Sequence, residues 1–236
     1  MPVWTVAGVC AVVAAALACA APAVVRRLPL PVGGGRDDTG TTAVVGAPTM
    51  VYSAIADTRW FLPGGVIVSG ATAGTLGLAF GADRLLLVLV PLVPIGYVLA
   101  VVDARAQLLP RRLVVSATIA VAAALVVEWA LTGELDVLVR AALGLVIART
   151  GFWLLWFFGS GLGFGDVRLA ALVGMVTARV GWEPFVVGIY GALLLALGYS
   201  IVRSVVTRRS LRGVGIPLGP FVVIGAAAGL LVGAGG

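Results

Sequence analysis

Ten acidic residues are spread along this chain of 236, and two of them stand where their neighbours suggest chemistry. Asp103 ends an apolar run and opens the polar interval Asp103 to Arg112. Asp166 closes Gly159-Ser160-Gly161-Leu162-Gly163-Phe164-Gly165-Asp166. Glycine at every second position removes the Cβ atoms and lets backbone leave helical geometry or approach another chain closely. Carboxylates on different helices at one depth can share a proton, because like charges a few ångströms apart cannot both ionise. The ionised member takes a proton from water while the protonated one polarises a peptide carbonyl. Such a pair titrates as a unit. It hydrolyses a peptide without metal, serine or histidine, which suits a chain that contains no His.

The other acids have plainer readings. Asp37, Asp38 and Asp57 belong to a long polar interval, and Asp83, Glu134, Asp136 and Glu183 to short turns, where they read as solvated charges. Glu128 lies about a turn from the end of its apolar run, within reach of the membrane interface. Cys10 and Cys19 stand nine apart in an apolar run and read as packing residues. A metal site of the His/Cys type is thereby excluded, and no metal or cofactor is expected. All 16 basic residues are Arg. They form no continuous tract with interleaved aromatics, so nucleic acid is not an expected partner.

The elements that must position these aspartates are membrane helices. The chain is 61% hydrophobic and 11% charged, against roughly 25% charged residues in a soluble domain, with a mean hydropathy of +1.15. A water-soluble fold of this size could not hide so much apolar surface. The expected fold is all-α, a polytopic integral membrane protein in a lipid bilayer, since a span takes about 20 apolar residues. Eight runs qualify: Val3–Val25, Gly64–Ala82, Leu85–Val102, Leu113–Leu131, Val137–Phe158, Val167–Val180, Phe185–Val202 and Ile216–Ala234. No Arg precedes Arg26, so the first run reads as a retained span and not as a cleaved signal peptide. The organisation is a first transmembrane helix at 1–25, a cytoplasmic loop at 26–62 and a multi-helix core at 63–236. The later part of the loop, Val44 to Leu62, is apolar enough to lie on the membrane surface.

Placing both termini outside puts Arg26, Arg27, Arg36, Arg59, Arg105, Arg111, Arg112, Arg168, Arg203, Arg208, Arg209 and Arg212 on the cytoplasmic side. Outer loops then hold Arg84 alone, while Arg140, Arg149 and Arg179 fall inside spans. The positive-inside rule favours this orientation. It brings Asp103 and Asp166 to the same, cytoplasmic, membrane surface.

Three segments in this order resemble the type IV prepilin peptidases, membrane aspartyl proteases with a Gly-x-Gly-Asp signature. Gly163-Phe164-Gly165-Asp166 matches that signature and continues through Val167, Leu169, Ala170, Ala171, Leu172 and Gly174. Asp103, followed by Pro110 and Arg112-Leu113, is similar to the family's first-aspartate segment, and Pro217-Leu218-Gly219-Pro220-Phe221 to its final-span motif. The resemblance implies that Asp103 and Asp166 are the catalytic pair, supported by Gly163, Gly165, Arg168, Pro110 and Pro217. It implies cleavage of prepilin or pseudopilin leaders at the cytoplasmic face of the inner membrane, commonly after a glycine. Arg168 stands where the family usually has Lys, and the wider, always-charged guanidinium changes what that position can do. Larger members carry a cytoplasmic domain with paired cysteines, linked to N-methylation of the new pilin terminus. The 26–62 interval has no Cys, so a short form without that domain is expected.

Two other functions fit part of this pattern. A small secondary transporter would carry protons or cations on the two acids, but transporters bind near the bilayer midplane and show paired broken helices. A non-catalytic scaffold of a pilus or secretion machine would bind prepilins without cutting, and would have no need of both aspartates. The glycines before Asp166 are expected to let extended substrate backbone approach.

Overall fold

A computed structural model describes residues 2–28, 48–107, 109–159, 162–207 and 217–235. The described residues form ten helices and no strand: α1 Val3–Ala18, α2 Ala21–Arg26, α3 Pro48–Ala56, α4 Phe61–Phe80, α5 Leu86–Ala106, α6 Arg111–Thr132, α7 Leu135–Phe157, α8 Phe164–Val180, α9 Trp182–Thr207 and α10 Gly219–Ala234. Six stretches are long and apolar enough to cross a membrane, namely Val3–Arg26 (α1 and α2 together), α4, α5, α6, α7 and α9. The sixth and eighth expected spans correspond to the shorter α8 and α10, of 17 and 16 residues. A helix of 17 residues rises about 25 Å, less than the ~30 Å hydrocarbon thickness.

The helix α8 can be short because protein, not lipid, surrounds it. Asp166, Val167 and every residue from Leu169 to Ala178 are buried. One face of α8 meets α7 through small residues. A Cβ on Gly144 would overlap the Ala178 Cβ and the Gly174 carbonyl, and one on Gly174 would overlap Ala148. The pair α9 and α10 uses the same device, with Gly188 and Ala192 against Gly225 and Gly229. In α1 and α4, Gly77 meets the Ala7 backbone, where a Cβ would stand 2.8 Å from Cα. Lipid supplies no hydrophobic drive between helices, so close backbone approach is what gives the packing its dispersion energy.

Helix ends depart from the apolar runs at both aspartates. The third run stops at Val102, yet α5 continues to Ala106, so Asp103 lies in its last turn. The sixth run starts at Val167, yet α8 starts at Phe164, so Asp166 lies in its first turn. Hydropathy marks bilayer depth, whereas backbone hydrogen bonds carry a helix past the interface. The surface-lying segment expected within Val44 to Leu62 contains α3. There Tyr52, Ile55 and Ala56 pack against Ala21, Val25, Val98 and Val102, and Arg26 reaches Asp57 at 2.5 Å. α3 therefore rests on the helix bundle. Residues 29–47, Ser160, Gly161 and the 208–216 part of the arginine loop lie outside the described residues.

The bundle end remote from the aspartates is closed by ions. Arg179, in the last turn of α8, pairs with Glu128 of α6 and lies 3.9 Å from Asp83. Arg140 of α7 donates to the carbonyls of Ala178 and Arg179 at 2.8 and 2.7 Å, satisfying acceptors that a helix C-terminus leaves open. Glu128 is thus held by Arg179 in addition to any contact with the interface. Cys10 is buried as expected, but Cys19 is exposed, so only the first is a packing residue.

Candidate active site

Asp103 and Asp166 are both buried, although they come from helices far apart in sequence. The last turn of α5 is closed by Gln107, whose N–H donates to the Asp103 carbonyl at 2.9 Å and whose φ of 52° is left-handed. That conformation costs a non-glycine residue energy and ends the helix one turn after Asp103. The carboxylate then points across the bundle. Its Oδ2 accepts the N–H of Gly219 at 2.7 Å, the first residue of α10, so Asp103 satisfies one of the open donors of that helix. A Cβ on Gly219 would lie 2.8 Å from the Asp103 Cβ and 2.9 Å from Oδ2. Only glycine fits there without moving Asp103.

Asp166 is held by its own helix. Gly163 is the N-cap of α8, with φ −76° and ψ 147°, and its N–H donates to Asp166 Oδ2 at 3.0 Å. The Asp166 N–H returns a bond of 3.0 Å to the Gly163 carbonyl. The other carboxylate oxygen, Oδ1, is buried and has no hydrogen-bond partner among the described residues. Asp103 is near enough for its charge to act on Asp166. Among the described residues neither aspartate makes an ion pair; the pairs found join Arg26 to Asp57 and Arg179 to Asp83 and Glu128. The arrangement is two enclosed carboxylates, each fixed through one oxygen by a backbone N–H.

A model of the type IV leader peptidase family matches residues 90–201, from within α5 into α9 and including both aspartates. Residues 90–201 belong to the type IV leader peptidase family. Membership implies a protease. No curated protein and no solved structure matches the chain.

Within this leader peptidase core the supporting positions divide. Gly165 is needed by the chain itself, since a Cβ there would come within 2.9 Å of the Leu109 Cβ. The loop from α5 to α6 folds under the start of α8 at that point, so the Cβ side of Gly165 is filled by Leu109. Gly163 is exposed, and a Cβ there would meet nothing closer than Asp166 Oδ2 at 3.5 Å. Pro110 is buried as the N-cap of α6, with its carbonyl accepting from Leu113 and Val114 at 3.1 and 3.3 Å. It anchors the loop that carries Leu109. Pro217 is half-buried just before the α10 N-cap, Leu218.

Arg168 is not brought to the pair. Two residues on from Asp166, it projects from a different side of α8, and its guanidinium lies 4.7 Å from the centre of the Phe164 ring. Trp156 meets the same ring edge-on at 5.3 Å. Two contacts escaped the sequence reading. Gly219 sat in a recognised motif, but nothing in the sequence told which residue it must admit. Leu109 carried no signal at all, being one leucine in a loop.

Proposed function

We propose that this chain is a membrane aspartyl endopeptidase that removes the leaders of type IV prepilins or pseudopilins at the cytoplasmic face of the inner membrane. The observation that carries the reading is the pair of enclosed carboxylates from α5 and α8, each oriented by a helix-terminal N–H. Family membership over 90–201 supports it. In the reaction one aspartate, ionised, takes a proton from a water held between them, and that water attacks the carbonyl carbon of the scissile peptide. The other aspartate, protonated, donates to the carbonyl oxygen. Collapse of the tetrahedral intermediate breaks the C–N bond as the leaving nitrogen takes up a proton. The Asp166 oxygen with no internal partner is suited to face that water or the carbonyl. The backbone donors at Gly219 and Gly163 spare the carboxylates rotational freedom, so the pair meets the peptide in one geometry. The reading includes no cofactor and no cysteine-bearing methyltransferase domain.

The test is co-expression with a tagged prepilin, comparing wild type with Asp103→Asn and Asp166→Asn at equal membrane levels. The expected result is a shift in substrate size with wild type and none with either variant. A shift that persists in one variant defeats the two-aspartate mechanism. No shift even with wild type, with pilus assembly intact in all three, favours the scaffold.

A further inference from the structure

An apolar groove of about 530 Å³ lies among four of the helices. Its walls are α4 and α10, and its floor is α5 and α8. Along α5 it runs from Leu89 to Arg105, which at 1.5 Å per residue is about 24 Å, most of the hydrocarbon depth. Pro91 and Pro94 fall in this stretch and interrupt the α5 hydrogen-bond ladder along the floor. Gly96 keeps that floor low, since a Cβ there would meet Val223 at 3.3 Å. The outer rims expose Val68 on α4 and Ile224 on α10, at 49% and 55%. Polar groups line it chiefly at one end, where Thr58, Trp60 and Arg105 gather. That end reaches the site: Ala104 and Arg105 follow Asp103 directly, and Pro220 follows Gly219.

Resting on the peptidase reading above, we propose that this groove seats the apolar helix that follows the leader in the substrate, and so sets which chains are cut. An apolar trough as long as a span, continuous at its polar end with two carboxylates, matches a substrate with the same sequence of properties: an apolar helix preceded by a scissile segment at the interface. The cavity is too small for a whole helix but takes the side chains of one helical face, leaving the opposite face to lipid. Entry is lateral, between α4 and α10. Since the seated helix is built from apolar side chains, length and shape decide its fit.

The test uses the full-length protein in vesicles with two substrates, a prepilin and a short peptide that spans the cleavage site but lacks the apolar helix. Val68→Trp and Ile224→Trp narrow the groove from opposite rims, and Ile119→Trp adds the same ring to an exposed position of α6 outside it. The first two variants are expected to raise KM for the prepilin by roughly tenfold or more, while kinetics on the short peptide stay unchanged. Ile119→Trp is expected to change neither. Unchanged prepilin KM in both groove variants, with wild-type protein active, means that the groove holds a lipid chain and overturns the proposal alone. Equal loss on both substrates also overturns it, because the variants then damage the site. Wild type that cuts neither substrate overturns the peptidase reading and this assignment with it. As a second measurement free of turnover, a benzophenone in the substrate's apolar helix should label α4 and α10 in Asp166→Asn protein. Label confined to α6, α7 or α9 excludes the groove.

Discussion

At the scale of single residues, the site depends on a glycine that takes no part in chemistry. Gly219 lets the α10 N-terminus come close enough to donate to Asp103, and even a methyl group there must push the carboxylate aside. Gly219→Ala is therefore expected to lower leader cleavage by about a hundredfold, the scale of effect that a displacement near 1 Å produces, with protein level and thermal stability little altered. Gly191→Ala, at a position in α9 where a Cβ would meet nothing within 4 Å, should cleave as wild type does. Equal activity in the two variants would mean that Asp103 relocates at no cost. The aspartates themselves were legible in the sequence because of their neighbours, the alternating glycines that lead into Asp166 and the polar interval with Pro110 that follows Asp103. The fit at Gly219 was not, because it joins residues 116 apart in the chain and nothing local records which partner a glycine admits.

At the scale of helices, α8 carries one catalytic candidate and is surrounded on nearly every side, so its seat must be exact in rotation and height. The contact with α7 fixes both, through Gly144 and Ala148 facing Gly174 and Ala178. Replacing Gly144 with Leu forces the two helices apart and is expected to cost about 1–3 kcal/mol, read as a fall in the thermal unfolding midpoint in detergent. Cleavage should fall with it even at temperatures where the protein remains folded, because the start of α8 shifts against Leu109. A variant equally stable to wild type would show that the interface is loose. The runs of hydrophobicity placed the membrane helices in order but misjudged where they end. Asp103 and Asp166 stand beyond the apolar runs and inside the helices, since charge in the final turn is tolerated at the interface while the backbone stays hydrogen-bonded. The contact of Leu109 with the Cβ side of Gly165 was illegible for a related reason: the loop that carries Leu109 has no periodicity to read.

At the scale of the whole molecule the two ends of the bundle differ in charge. The end that holds Asp103 and Asp166 also gathers Arg26, Arg27, Arg59, Arg105, Arg111, Arg112, Arg168 and Arg203 near helix ends, whereas the opposite end has Arg84, Arg179 bound to Glu128 and Arg140 bound to the α8 carbonyls. On the positive-inside rule this asymmetry predicts that the aspartate end faces the cytoplasm. A membrane-impermeant maleimide tests this on intact cells, in a background with Cys10→Ala and Cys19→Ala. Asp136→Cys, exposed at the start of α7, is expected to react from outside, and Arg112→Cys, exposed at the start of α6, only after the membrane is opened. The reverse pattern would turn the two carboxylates to the outer face. A leader that remains on the cytoplasmic side could not then reach them, and the peptidase reading would fall on topology alone, whatever the chemistry of the pair.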